Sequence, residues 1–351
     1  MDNKRAGCDV QRMSAARPGP RNLITDVPGL AVGQAEDAAA RTGVTVILPM
    51  ARAVCACDVR GGAPGTRETD ALAVDALVEA VDAVVLAGGS VYGLAAADGA
   101  AAWLGARGRG FVLRDDLAIP PSPVVPAAIL FDLANGGDKA WGEAPPYNAL
   151  GRQAVAAAGE VFALGTAGAG YGAMAGALKG GLGSASVVAE DGVVVGALAA
   201  VNCWGSVVAP SGRTFWAAPY EIGDEFGGLG AAGLIAPPDA WGLAKSPAES
   251  RNTTIACVAT DAALTPAEAR RVAVMAQDGL ARAIRPVHAP FDGDVVFALS
   301  TGRRAMAEPR AYALARLGAL AADCLARAVA RGVFEAQAWR GSDMPCWRDL
   351  A

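Results

Sequence analysis

The tetrapeptide Asn252-Thr253-Thr254-Ile255 sets a hydroxyl side chain at the mouth of an apolar run, Thr254-Ile-Ala-Cys-Val-Ala259. Glycine, proline and polar residues crowd the segment before it. A break between Asn252 and Thr253 would turn Thr253 into an N-terminus, with a nucleophilic hydroxyl and an α-amine on one residue. An α-amine titrates near about 7.7–8.0, so it can act as a base at neutral pH. That pairing suits acyl transfer, in which an amide is attacked, an ester forms and water releases it. Asn-Thr is a common dipeptide, so its meaning depends on its company.

Three polar groups sit where apolar or glycine-rich segments run out. Lys179 lies in Ala177-Leu-Lys-Gly-Gly-Leu182, Asn202 follows the run Val193–Val201, and Asp292 and Asp294 flank Gly293 just before Val295–Leu299. Each also has an ordinary reading, as a loop lysine, a turn asparagine and a solvated Asp-Gly-Asp turn. His288 is the single histidine. A Ser-His-Asp triad would have to be built on it, and a site with several histidine ligands is excluded. The expected base is therefore another group.

Two glycine motifs compete for attention. Gly170-Tyr-Gly-Ala-Met-Ala175 has the spacing of a dinucleotide fingerprint, with Glu190 beyond it. It precedes a lysine loop and a hairpin instead of a helix and a parallel strand, which argues against a nucleotide cofactor. Gly88-Gly-Ser-Val-Tyr-Gly93 is one residue too long for a nucleophile elbow. Ser90 there reads as structural or as part of a substrate-pocket lining.

Composition narrows the setting. Hydrophobic residues make up 53% and charged residues 19% of 351 residues, the latter below the usual share of about 25%. A large core is affordable. The net charge of −5, with no basic cluster, disfavours nucleic acid. No apolar run reaches the ~18 residues of a membrane span, and no apolar signal region follows Met1-Asp-Asn-Lys-Arg5, so a soluble cytoplasmic protein is expected. The seven scattered cysteines read as buried thiols, and Cys55-Ala-Cys57 lacks the gap of a redox or zinc motif.

The elements that must position these groups follow from pattern. Residues 1–20 read as a poorly ordered N-terminal segment. Asn22–Asp26 and Thr42–Leu48 read as strands separated by a turn-rich stretch. A helix is predicted over Glu68–Val81, a strand over Asp82–Ala87, and a helix over Gly93–Arg107. Val124–Leu133 reads as a strand and Asn148–Ala158 as a helix. Ser184–Ala189 and Val193–Val201 form a hairpin around Glu190-Asp-Gly192. Residues 208–252, rich in Pro, Gly and Ser, read as an exposed linker. Thr265-Pro-Ala-Glu268 is a capping box with proline at the first helical position, opening a helix to about Ile284. A strand over Val295–Leu299 and a helix over Arg310–Arg331 close the chain. Such an order suggests helices layered on sheets, not regular βαβ alternation.

The chain resembles the self-processing N-terminal nucleophile hydrolases that include L-aminopeptidase/D-esterases, β-peptidyl aminopeptidases and 6-aminohexanoate-oligomer (nylon-oligomer) hydrolases. The resemblance runs from about Asn22 to Leu325. It is carried by Asn22-Leu-Ile-Thr-Asp-Val-Pro-Gly-Leu30, Asp58-Val-Arg-Gly-Gly62, Leu86-Ala-Gly-Gly-Ser-Val-Tyr-Gly93 and Gly165-Thr-Ala-Gly-Ala-Gly170. Asn252-Thr253-Thr254-Ile255 and His288-Ala-Pro-Phe-Asp-Gly-Asp294 complete it.

The resemblance implies an α+β fold, a four-layer αββα sandwich. It also implies one hydrolase domain over residues 21–351, cut into an α chain of 1–252 and a β chain of 253–351. Thr253 is then the nucleophile, with Lys179 beside it and Asn202 donating to the oxyanion. Asp292 and Asp294 hold and polarise the nucleophile and its amine. Threonine as nucleophile is similar to the nylon-oligomer hydrolases, which carry a tyrosine at the position of Phe131. Phe131 cannot donate a hydrogen bond, which leaves Tyr92 or Tyr147 as stand-ins for that substrate contact.

The implied activity is amide hydrolysis of short peptides or ω-amino-acid oligomers, without metal or organic cofactor, in a tetramer-like homo-oligomer. An aminopeptidase/D-esterase releasing N-terminal residues is the alternative. A non-catalytic relative that kept the fold as a binding protein is the second.

Overall fold

The computed structural model describes residues 16–114, 118–210, 212–232, 234–246 and 252–350. The strands are β1 (Leu30–Asp37), β2 (Thr42–Pro49), β3 (Ala53–Val59), β4 (Thr66–Arg67), β5 (Ala80–Val81), β6 (Val84–Ala87) and β7 (Ala127–Ile129) in the first half. They continue as β8 (Met174–Ala175), β9 (Leu178–Lys179), β10 (Gly181–Val188), β11 (Val194–Asn202), β12 (Thr253–Ala262) and β13 (Val295–Arg304). The α-helices are α1 (Ala95–Gly105), α2 (Tyr147–Ala156), α3 (Pro266–Ala283) and α4 (Arg310–Phe334). One sheet has the order β1-β2-β6-β7-β4 and the other β10-β11-β12-β13-β3-β5; β8 and β9 pair separately.

Alternation along each strand decides which face a residue serves. In β12, Ile255, Cys257 and Ala259 join the core between the sheets. Ala256 and Val258 join the core beneath α3 and α4. In the first sheet Ile47, Val84 and Leu86 face the second sheet, while Val44, Val46 and Val85 lie beneath α1 and α2. Both sheets are thus covered on both faces, which explains why their strands read as near-continuous apolar runs. The layers are helix, sheet, sheet, helix, the αββα order that the resemblance implied.

The outer helices approach closely because their contact points lack side chains. A Cβ on Gly99 of α1 would come within 2.0 Å of the Asn148 carbonyl oxygen, and one on Gly151 of α2 within 2.0 Å of the Ala96 oxygen. On the far side, α3 begins with the expected box, Thr265 capping the Glu268 N–H and Glu268 returning to the Thr265 N–H. A buried cation ties α4 to distant segments. Arg327 Nε meets Glu225 Oε1 at 2.6 Å, Nη1 donates to the Ser186 carbonyl at 3.0 Å and Nη2 to Asn22 Oδ1 at 2.9 Å.

Several elements differ from the sequence reading. Ile24–Asp26 is a 3-10 turn, not a strand, because the Asp26 carboxylate accepts the backbone N–H groups of Arg21 and Leu23. The stretch read as turn-rich contains β1, and β3 was not anticipated. The helix predicted over Glu68–Val81 is absent; only a 3-10 turn at Asp70–Leu72 and β5 occur there. The strand predicted over Val124–Leu133 shrinks to Ala127–Ile129. Among the described residues of 208–252, Phe215, Ala217, Phe226 and Lys245 are buried, so these parts pack into the domain instead of hanging outside it. The expected disorder of residues 1–20 lies outside the described residues up to 15, and Arg17 pairs with Val188. Of the cysteines, 55, 203, 257, 324 and 346 are buried and Cys57 half-buried; Cys8 lies outside the described residues.

Arg327→Met should take the nearest cation from the Glu225 carboxylate, leaving it Asn22 Nδ2 at 2.6 Å and Arg331 Nε at 3.9 Å. A loss of about 3–5 kcal/mol is expected from breaking a buried pair on one side, measured as the shift of the urea unfolding midpoint. A loss under about 1 kcal/mol would show that water already solvates the pair.

Candidate active site

Four chain ends meet at one edge of the second sheet. β11 and β12 are antiparallel with Asn202 opposite Thr253, so the last residue of one strand faces the first of the next. β13 runs parallel to β12 and starts at the same edge, preceded by a bridge between Asn252 and Asp292. β3 runs antiparallel to β13 and ends there with Val59 opposite Val295. Alternation directs Thr253, like Ile255 and Cys257, into the space between the sheets. Asn202 shares that face with Leu198 and Ala200.

The Asn252–Thr253 peptide is strapped at this convergence, with both residues buried. The Asn252 carbonyl oxygen accepts the Gly293 N–H at 3.1 Å, and Thr253 Oγ1 donates to the same oxygen. The hydroxyl thus lies against the carbonyl of its own preceding peptide. Glycine at 293 is a spatial requirement, since a Cβ there would stand 2.8 Å from Thr253 Oγ1 and 2.7 Å from the Ala63 oxygen. The loop after β3 closes over the same segment. Arg60 donates its N–H to the Asp294 oxygen and Ala63 to the Asp292 oxygen, and a Cβ on Gly61 would strike the Asp292 oxygen at 2.3 Å.

The two aspartates are both almost fully buried. Asp292 accepts the N–H groups of Trp204 at 3.3 Å and Ala289 at 3.0 Å. Burial, then the neighbouring Asp294 charge, pushes its carboxyl up to about 6. Asp294 accepts the Thr254 N–H at 2.7 Å through one oxygen. Its other oxygen meets His288 twice, at the backbone N–H (3.2 Å) and at Nδ1 (2.8 Å). His288 holds a left-handed φ of 57°, a conformation unfavourable for a side-chain-bearing residue. The double contact to Asp294 holds it there.

Asn202 braces the two sheets. Its Nδ2 donates to the Phe131 carbonyl at 3.0 Å and its Oδ1 accepts the Met174 N–H at 2.9 Å. One of its two amide hydrogens remains outside that bond. Lys179 is fully buried and donates to the carbonyls of Gly170 (3.2 Å), Ala173 (3.0 Å) and Gly180 (2.7 Å), with Nζ 4.9 Å from the Trp339 ring centre. Burial lowers it to about 7. Thr253 is not among its hydrogen-bond partners in the described residues; Lys179 lies behind Asn202, through the β8–β9 hairpin in which Met174 opposes Lys179.

The expected substrate contacts spread along the first sheet. Phe131 is half-buried and enters through its carbonyl. Ser90 has a left-handed φ of 53° and donates its N–H to the Leu130 oxygen. Tyr92 is exposed, its ring edge against Trp141. Tyr147 is fully buried with its hydroxyl on Thr42, which in turn bonds Asp132. The Gly170–Ala175 motif forms a 3-10 turn and a short hairpin strand.

Two groups escaped the sequence reading. Lys245, also buried, donates through Nζ to Asn252 Oδ1 and lies 3.5 Å from the Asn202 carbonyl oxygen. Nothing in its Pro- and Gly-rich surroundings announces burial. His288 stood inside a recognised motif, but without a role until Asp294 was placed. Among the described residues no group of three or more His, Cys, Asp or Glu side chains is arranged to hold a metal, and no helix is long and apolar enough to cross a membrane.

The family described as peptidase family S58 matches residues 22–345. A Mycobacterium tuberculosis protein described as an uncharacterized aminopeptidase is 46% identical, covering 94% of this chain and 98% of its own length. A 6-aminohexanoate-oligomer endohydrolase of Paenarthrobacter ureafaciens is 30% identical over 84% of this chain and 79% of its own. The solved L-aminopeptidase D-Ala-esterase/amidase of Ochrobactrum anthropi, described as a variant of the Ntn hydrolase fold, superposes with a TM-score of 0.68 at 23% identity. That match covers 96% of this chain and 92% of the other.

Lys179 generates a prediction with a definite sign. Unfolded lysine keeps its proton to about 10.4, the folded residue only to about 7. Between those values the unfolded state binds more protons, so this group makes stability climb with pH and withdraws that gain as pH falls toward 7. Urea midpoints at pH 7, 8 and 9 should rise more steeply for the wild type than for Lys179→Met. Parallel curves would contradict the assignment.

Proposed function

We propose that this chain, which belongs to peptidase family S58 and hydrolyses amide bonds, uses Thr253 as an N-terminal nucleophile after cutting itself at Asn252–Thr253. The observation that carries the reading is the Asn252 carbonyl, held by the Gly293 N–H at 3.1 Å with Thr253 Oγ1 against it. Attack by Oγ1 on that carbonyl carbon forms a tetrahedral adduct whose oxyanion is held by Gly293. The C–N bond then breaks, and the hydroxyl proton ends on the departing Thr253 nitrogen. An ester joins Asn252 to Thr253 Oγ1. Water hydrolyses it, giving an Asn252 carboxylate on an α chain of 1–252 and a free amine on a β chain of 253–351.

In turnover the free α-amine replaces the peptide nitrogen and supplies the missing base. Asp292, with its carboxyl near 6, is ionised at neutral pH and can help accept the hydroxyl proton in the first cut. Asp294 fixes the start of β12 through the Thr254 N–H, and the remaining amide hydrogen of Asn202 serves the oxyanion of the substrate. Lys179 acts from behind, by holding the β8–β9 hairpin that orients Asn202.

The substrates in this reading are short peptides with a free amine. The Asn252 N–H points at the Phe291 carbonyl oxygen at 3.5 Å, which is where the amine of an aminoacyl substrate would lie. The second reading, hydrolysis of ω-amino-acid oligomers, is supported by the threonine nucleophile and by the 30% identical oligomer endohydrolase. A tetramer-like homo-oligomer and a cytoplasmic location belong to the same proposal, on the strength of the resemblance.

Thr253→Ala should give an uncut chain with no amide hydrolysis; cleavage of that variant at 252/253 would remove Thr253 from the role. Gly293→Ala keeps its N–H but sets a Cβ 2.8 Å from Thr253 Oγ1 and 2.7 Å from the Ala63 oxygen, so it should displace the hydroxyl and slow the cut, followed as the gel time course of a freshly produced chain; an unchanged rate would contradict that packing. Release from amino-acid p-nitroanilides alone would favour the aminopeptidase, and cleavage of amine-capped aminohexanoate oligomers the oligomer hydrolase.

A further inference from the structure

Asp132 is a buried carboxylate that the chemistry above leaves without a task. It is 3% exposed and lies one residue beyond Phe131, whose carbonyl accepts the Asn202 amide. Its Oδ2 accepts the Thr42 hydroxyl at 2.6 Å and its Oδ1 the Gly89 N–H at 2.7 Å. Tyr147 donates to the same Thr42 hydroxyl at 3.3 Å, so its phenol is engaged in this cluster. A carboxylate out of reach of water is costly unless it is hydrogen-bonded in this way.

The same carboxylate fixes the two segments that hold Asn202. On one side, Gly89 and Ser90 both have left-handed backbones, with φ 85° and 53°. Ser90 donates its N–H to the Leu130 oxygen at 3.0 Å and Gly89 donates to Asp132, so the turn is stapled to both ends of residues 130–132. That staple sets the place of the Phe131 carbonyl, 3.0 Å from Asn202 Nδ2. On the other side Gly172 packs on the carboxylate, and a Cβ there would stand 2.3 Å from Asp132 Oδ2. Asn135 Nδ2 holds the Gly172 oxygen at 3.1 Å. Two residues on, Met174 donates its N–H to Asn202 Oδ1 at 2.9 Å. Both ends of the Asn202 amide are therefore held by segments that meet at Asp132. An amide pinned through its oxygen and its nitrogen keeps its remaining hydrogen in one direction, as a preorganised oxyanion donor must.

We propose that Asp132 is a positioning residue for amide hydrolysis, which aims the Asn202 amide at the substrate oxyanion through Phe131 and the Gly172–Met174 segment. This role rests on the oxyanion role given to Asn202 above. Asp132 itself stays behind that amide and takes no part in bond making.

The test is a double-mutant cycle on kcat in the mature protein, with L-alanyl p-nitroanilide, or an aminohexanoate oligomer if the wild type leaves the anilide intact. Asp132→Ala should lower kcat by about tenfold or more and leave KM within about threefold, since the loss falls on the transition state. In an Asn202→Ala background the same change should cost under about threefold, because the group it acts through is gone. Asp132→Asn, which keeps an acceptor for the Gly89 N–H, should recover most of kcat. If Asp132→Ala does not fold, Thr42→Val takes its place in the cycle, since it removes one donor from the carboxylate. An equal loss in both backgrounds, or an Asp132→Ala protein with wild-type kcat, overturns the assignment and leaves the Asn202 reading intact. A wild-type kcat in Asn202→Ala overturns the oxyanion role of Asn202 first, and this one with it.

Discussion

The alignment of Asn202 with Thr253 across β11 and β12 is the constraint on which the rest of the structure depends. It sets the end of one buried strand against the start of the next, and parallel β13 brings the Asp292–Asp294 turn to the same edge. A slip of one residue would turn Thr253 away from the inter-sheet space and put Thr254 in its place. The alternation of Ile255, Cys257 and Ala259 against Ala256 and Val258, packed on both faces, forbids that slip. Core packing and site geometry are therefore one specification. The glycines at 61 and 293 are its local cost, because only a bare backbone lets four chain ends meet so closely.

The convergence gathers charge in a place that water does not reach. Asp292, Asp294, Lys179 and Lys245 are all buried. An isolated ion there would be expensive, and each is instead given polar partners. The aspartates take backbone N–H groups and His288, Lys179 takes three carbonyls, and Lys245 takes the Asn252 side chain. Burial, and then the neighbouring Asp294 carboxylate, raise Asp292 toward neutrality, and burial brings Lys179 down to the same region.

Sequence alone revealed those parts of the site in which chemistry coincides with local pattern. The β10–β11 hairpin and the start of β12 follow from apolar runs and an Asp-Gly turn, and α3 from its capping box. Asn202 and the Asp292–Asp294 pair stood out because they end or begin such runs. The failures have physical causes. Residues 68–81 carry helix-forming alanine, leucine and glutamate, yet Val74 and Leu77 are exposed and Ala80–Val81 pairs with β3; tertiary context overrides propensity there. β1 was missed because Gln34, Glu36 and Asp37 dilute its alternation. Lys245 was illegible because its burial is created by Trp204 and Asn252, which reach it through the fold and not through its neighbours in sequence.

If the chain cuts itself as proposed, Thr253 leads the second fragment. Intact-mass spectrometry of the purified protein under denaturing conditions, with N-terminal sequencing of the smaller species, tests it most directly. The predicted result is a 99-residue fragment, residues 253–351, beginning Thr-Thr-Ile-Ala. A single uncut chain of 351 residues that nevertheless hydrolyses amides would contradict it, and would require the nucleophile to be sought elsewhere in the site.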